Sequence, residues 1–174
     1  VKLSFLFPRE EFKKLIMKYR LLTDEELKHL EEELKHFLIV NHVHKEEWER
    51  INKEQPELAI ELVGLFSDQV LQRVYENISF LENRTKDSCF VFHCDKNQIN
   101  LIAIQAKNEN EKLDFSTPES IHEALTKHSK DVGFFRHSKP YTKSREEEIH
   151  QLIEQGCVKS SESFWNSLEL ALVD

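Results

Sequence analysis

Ile78-Ser79-Phe80-Leu81-Glu82-Asn83-Arg84, Ser88-Cys89-Phe90-Val91-Phe92-His93 and Gln98-Ile99-Asn100-Leu101-Ile102-Ala103-Ile104-Gln105-Ala106 decide the fold class. Across these three runs the apolar residues recur with period two, the signature of a β-strand rather than a helix. Asp95-Lys96-Asn97 supplies a turn between the second and third. Connections this short join only antiparallel neighbours, so a three-stranded antiparallel meander is expected.

Upstream of the meander the period is helical. Thr23 and Glu26 have capping-box spacing, and Leu27, Leu30, Leu34, Phe37 and Leu38 then fall on one helical face. A short helix from about Glu46 to Lys53 presents Trp48 and Ile51, and Pro56 opens a longer one running to about Glu76. In that longer helix Ala59, Leu62, Val63, Phe66 and Val70 form a core stripe, with Gly64 and Ser67 as places for a bend. Leu58, Leu65, Ile60 and Leu71 spread apolar surface around both flanks.

Downstream the helical period returns. Ser116 and Glu119 frame a second capping box, with Pro118 inside the start of a helix ending near His128. Ser144 and Glu147 frame a third, on a helix stopped by Gly156, and a last helix from about Ser161 carries Phe164, Trp165, Leu168 and Leu172. The expected architecture is α+β: a helical N-terminal half, the meander, and C-terminal helices, within a single domain over residues 17–174. Residues 1–16 have two readings. The only methionine is Met17, which makes them an upstream extension, whereas Pro8 with Phe12, Leu15, Ile16 and Tyr19 at helical spacing makes them an ordered first helix.

Composition bounds the function. The 174 residues suffice for one core without disulfides or a structural metal, and 39% apolar content with twelve phenylalanines separates the chain from disordered sequences. No run approaches the roughly 18 apolar residues of a membrane span, and Leu3-Ser4-Phe5-Leu6-Phe7 is cut short by Pro8-Arg9-Glu10-Glu11 before it can act as a signal peptide. Three dispersed cysteines, Cys89, Cys94 and Cys157, read as reduced thiols and fit a cytoplasmic setting. The formal charge of −8 opposes general attraction to phosphate backbones, so nucleic-acid binding has to be local.

With only Gly64, Gly133 and Gly156 present, neither a P-loop, a dinucleotide fingerprint nor a nucleophile elbow can be written. Glu-x-x-His occurs four times, as Glu26/His29, Glu33/His36, Glu119/His122 and Glu147/His150. Di-metal bundles use that spacing, but their ligands lie beside the apolar stripe, and here they point away from it. Cys89 and Cys94 differ in strand parity, while Cys89 and His93 share a face about 13 Å apart, so no two can share a zinc ion locally. Phe90, Phe92 and Cys94 are expected to form a buried face instead. Cys157 follows the C-terminal end of its helix, where the dipole disfavours a thiolate. No metal, cofactor or catalytic set is expected.

One segment departs from the acidic background. Lys127, Lys130, Arg136, Lys139, Lys143 and Arg145 stand against a single acid, Asp131, with His137, Phe134, Phe135 and Tyr141 among them. Cations interleaved with aromatic rings suit an anion or a single nucleic-acid strand. The structural alternative has Phe134 and Phe135 anchoring a long loop while the cations neutralise acidic helices. On the long helix, Leu58 with Leu65, or Ile60 with Leu71, would give a partner or dimer surface if left uncovered. His93, Asp68 and Arg84 are the polar residues to check for convergence on a catalytic site.

Tyr19-Arg20-Leu21-Leu22-Thr23-x-Glu25-Glu26-Leu27, Phe37-Leu38-x-x-Asn41, Trp48, Pro56-x-x-Ala59 and Leu65-Phe66-Ser67-Asp68-x-Val70 resemble an uncharacterised family of small proteins from flavobacteria and related Bacteroidota. The resemblance runs from Met17 to about Ala106. It implies a start at Met17 and no particular activity. Two functions are carried forward: a non-enzymatic protein-interaction or regulatory module with a protein partner, and a nucleic-acid or anion binder using residues 127–145.

Overall fold

The computed structural model describes residues 17–108 and 113–171, and the chain divides into two compact units between Val74 and Tyr75. Both readings of residues 1–16 therefore lie outside the described residues.

The first unit is helical: α1 (Asp24–His29), α2 (Glu31–Val40), α3 (Lys45–Glu54) and α4 (Pro56–Glu76), the last two residues of α4 belonging to the second unit. Thr23 builds the expected capping box. Its Oγ1 accepts from the Glu26 N–H at 3.2 Å, and the Glu26 carboxylate accepts from the Thr23 N–H at 2.7 Å. The helix expected to run on from there is interrupted at Leu30 (φ −104°, ψ 25°), although Leu27, Leu34 and Leu38 are still buried together. α2 ends in a Schellman motif, with Val43 N–H on Leu38 C=O and His42 N–H on Ile39 C=O. His42 occupies the left-handed position at φ 63°. Ahead of α1 the chain is pinned to α4: Asp68 accepts from the Lys18 and Tyr19 N–H groups, and Ser67 Oγ accepts from Leu22 N–H while donating to Val63 C=O. Gly64 permits this approach, since a Cβ there would stand 3.0 Å from Met17 Sδ.

The second unit is a five-stranded antiparallel sheet, β1 (Phe80–Arg84), β2 (Ser88–Cys94), β3 (Gln98–Ala106), β4 (Val132–Pro140) and β5 (Val158–Lys159), ordered β4-β3-β2-β1-β5. The helices α5 (Pro118–Lys127), α6 (Arg145–Glu154) and α7 (Glu162–Ala171) are threaded between and after these strands. The expected meander is thus the centre of a larger sheet. Residues 132–140 are not a loop, because they pair with β3 along its whole length, from Gln98↔Pro140 to Ala106↔Val132. β5 closes the other border by pairing with Leu81 and Glu82.

On one sheet face Cys89, Val91, Ile102, Ile104 and Val132 are buried with Phe115, with Ile121 and Ala124 of α5, and with Trp165 and Leu168 of α7. This corrects the expected burial of β2. Cys94 is buried as anticipated, but Phe90 and Phe92 are only half-buried, and the opposite parity, Cys89 and Val91, has no exposure at all. The second capping box also shifts by one residue, to Thr117 with Ser120, because Ser116 is held instead by Asp114. α6 has the expected Ser144/Glu147 box and ends in a Schellman motif at Gly156, φ +94°. No helix among the described residues is long and apolar enough to cross a membrane.

Candidate functional site

Strand register builds a polar row at one end of the helix-covered sheet face. The inward rows Arg84–Cys89–Ile104–Phe134 and Glu82–Val91–Ile102–Arg136 are followed by Phe80–His93–Asn100–Ser138, each residue paired with the next across the strands. The first two rows run under the apolar core and the third emerges beyond it. With Glu162, Trp165, Asn166 and Glu169 of α7 as the wall, this third row and Arg136 line a cleft of about 460 Å³.

Within the cleft the side chains are held from the sheet. His93 stacks on Phe80 with ring centroids 4.6 Å apart and lies 5.4 Å from the Trp165 ring. Asn100 Oδ1 accepts from Ser138 Oγ at 2.7 Å and from Gln98 Nε2 at 2.9 Å. Arg136 has Glu169 as its carboxylate neighbour at 3.8 Å, too far for a hydrogen bond. Asn100 and Ser138 escaped sequence reasoning. The signal for Asn100 was parity, since it continues the inward alternation of Ile104 and Ile102 with a polar residue, as His93 does two places after Val91, while Ser138 follows Arg136 on the same face of β4.

The basic segment is divided among different tasks. Arg145 donates to the carbonyls of Tyr75, Ile78 and Cys94, closing the C-terminal end of α4 with a cation. Lys139 pairs with Glu148 at 2.8 Å, and Lys127 pairs with Glu123 one turn back on its helix. Burial pushes the Glu148 carboxyl upward, but hydrogen bonds from Lys139 and from the Thr142 and Lys143 N–H groups outweigh it and hold it at about 2. The Tyr141 hydroxyl donates to Asp95 C=O, and burial pushes its ionisation upward. Lys130, His137 and Lys143 are exposed, and only Arg136 and His137 line the cleft.

The other candidates do not gather. Asp68 serves the backbone of the helical unit. His93 and Arg84 share a sheet face but are four residues apart in register, about 13 Å. Arg84 pairs with buried Glu82 at 2.8 Å and covers the Phe164 ring at 4.8 Å, leaving its buried Nε without a partner among the described residues. His29, His36 and His122 are exposed, and His150 bonds the Tyr75 hydroxyl at 3.0 Å. Among the described residues no group of three or more His, Cys, Asp or Glu is placed to hold a metal ion. All three thiols are free and buried. Burial pushes Cys89 up to about 12 and Cys94 up to about 11, and raises Cys157, so burial disfavours the thiolate at all three.

The helical unit presents a different surface. Of the flank residues, Leu65 is 54% exposed, Leu58 and Ile60 are half-buried, and Leu71 is buried. Between α2 and α4 lies an open groove of about 720 Å³ with Phe37, Val40, Phe66 and Val70 on its apolar side and Glu32, Glu33 and His36 on its rim. The Phe37 and Phe66 rings meet at 5.5 Å beneath it. Ile39 and Val40 of α2 are more than half exposed.

Against known proteins, a model described as a family of unknown function (DUF6495) matches residues 17–173, and the chain belongs to that family. No curated protein matches the chain, and no solved structure does.

Proposed function

We propose that this member of DUF6495 is a non-enzymatic protein-interaction module, whose helical unit takes the apolar face of a basic amphipathic helix from a protein partner into the α2–α4 groove. The observation that carries it is the apolar side of the groove itself, Phe37, Val40, Phe66 and Val70, with Val40 62% exposed to water. A soluble surface keeps contiguous apolar area of this kind for association. Charge selects the partner. Residues 17–74 hold 13 Asp and Glu against 8 Lys and Arg, a formal −5, and Glu32 and Glu33 line the groove against one cation, Arg73. A helix with apolar residues at i, i+3/i+4 and i+7 and a Lys/Arg-rich outer face matches both features. Three reduced, buried thiols support a cytoplasmic setting, and the quoted resemblance supports a host among the Bacteroidota.

Two designed peptides with the same apolar face, one with a lysine-rich and one with a glutamate-rich polar face, test this by fluorescence anisotropy. The basic peptide binds, the acidic one binds about tenfold weaker or worse, and Val40→Glu and Val70→Glu abolish binding, Val40→Glu at an exposed position without lowering the melting temperature. Equal binding of the two peptides, or binding untouched by both variants, refutes the proposal. So does a homodimer that buries this face. The nucleic-acid alternative retains Lys130, His137 and Lys143 as exposed groups, and it requires affinity for a single-stranded oligonucleotide that falls steeply with salt.

A further inference from the structure

We infer that the cleft between the sheet and α7 is a binding site for a small zwitterion of the α-amino acid class, independent of the helical groove. Its floor offers donors that the fold leaves free. Asn100 Oδ1 is occupied by Ser138 and Gln98, which turns the amide so that Nδ2 has no partner among the described residues. His93 is held by ring stacking alone, and among the described residues neither of its ring nitrogens is hydrogen-bonded. The Arg136 guanidinium, with Glu169 only at 3.8 Å, has its fork open to the cleft. Three donors from adjacent register rows suit a carboxylate, which Arg binds in bidentate fashion.

The wall carries the opposite sign. Glu162 and Glu169 are seven residues apart, so they share one face of α7, two turns from each other. A phosphate or a nucleic-acid strand on Arg136 would meet these two carboxylates, whose like charge repels it. A simple cation on the glutamates would meet Arg136. A molecule bearing a carboxylate and an ammonium group satisfies both sides, with the carboxylate on the floor and the ammonium on the wall. About 460 Å³ is within the range of small-molecule clefts, and Phe80 and Trp165 supply an apolar border. Because the cleft is open, binding is of micromolar to millimolar strength.

The probe is each of the twenty L-amino acids, titrated to about 10 mM against the full chain and followed by calorimetry and by the Trp165 indole N–H resonance. At least one amino acid binds saturably and shifts that resonance. Its decarboxylated amine and its deaminated acid each bind about tenfold weaker, as do Arg136→Gln and Glu169→Gln. These two side chains are about half exposed, and unchanged melting confirms that the variants fold. The inference is overturned if no amino acid binds, if either truncated analogue binds as well as its parent, if the variants bind normally, or if binding leaves Trp165 unmoved.

Discussion

The helical and sheet units solve the problem of polar groups in opposite ways, and their surfaces differ accordingly. In the first unit each helix satisfies its own backbone, so side chains such as Val40 and Leu65 are free to face water as an apolar surface. In the second, satisfaction comes from pairing between distant strands, and directional groups such as Asn100 and Ser138 are delivered in rows by register. Apolar area without direction suits a protein helix. Fixed donors and acceptors suit a small polar molecule. Where a chain of this composition places its chemistry is therefore decided by which element type supplies the surface.

The sharpest way to test this contrast is to remove a side chain that only the core uses. Phe115 is fully buried in the sheet unit, and Phe115→Ala should cost about 3–5 kcal/mol in a urea titration, through lost transfer energy and the cavity left behind.

The next largest effect concerns Glu148, whose folded carboxyl sits at about 2 against an ordinary 4.5. A depressed folded value means that its stabilisation is complete above pH 4.5 and is lost as pH falls toward 2. Roughly 3 kcal/mol should disappear over that interval. Glu148→Gln should lower neutral-pH stability by about 2 kcal/mol and flatten this acid limb. An acid limb as steep as the parent's would show that other carboxylates dominate.

Two Schellman turns, one in each unit, allow a matched comparison of about 1 kcal/mol. Gly156 has φ +94°, and an added Cβ would meet only Asn83 Nδ2 at an ordinary 3.6 Å. Gly156→Ala should therefore destabilise by backbone strain alone, by about 1 kcal/mol. His42, at φ 63° in the helical unit, should show the reverse sign, with His42→Gly gaining up to about 1 kcal/mol. Smallest of all, Leu65→Ser on the helical surface should change the melting free energy by less than about 0.5 kcal/mol. A larger loss would mean that this side chain belongs to the core.

Most of the local punctuation was legible. The Thr23/Glu26 and Ser144/Glu147 boxes, the Pro56 start and the Gly156 stop all lie where side-chain chemistry placed them. These features depend on residues within a single turn. β4 was not legible, because in Val132–Pro140 the adjacent Phe134 and Phe135 and the polar run Arg136-His137-Ser138-Lys139 break the apolar alternation, and the segment becomes a strand only by pairing with β3. His42 was missed as a helix stop because its role normally falls to glycine. The site was hidden for the same reason as β4. His93, Asn100 and Ser138 are adjacent through register, which no sequence separation encodes, and without β4 the row lacks its last member. The four Glu-x-x-His spacings show the converse, since their regular intervals bring no metal-ligating cluster together among the described residues.

The two borders of the sheet have a consequence for handling the protein. One outer strand, β4, carries Arg136 and Lys139 and ends in Pro140, while the other, β5, is two residues long. A neighbouring molecule looking for a ladder to extend finds charged side chains and a missing donor on one side, and too little backbone on the other. Both margins, among the described residues, disfavour fibril growth by stacking end strands, so concentrated solutions should stay clear and free of cross-β aggregates.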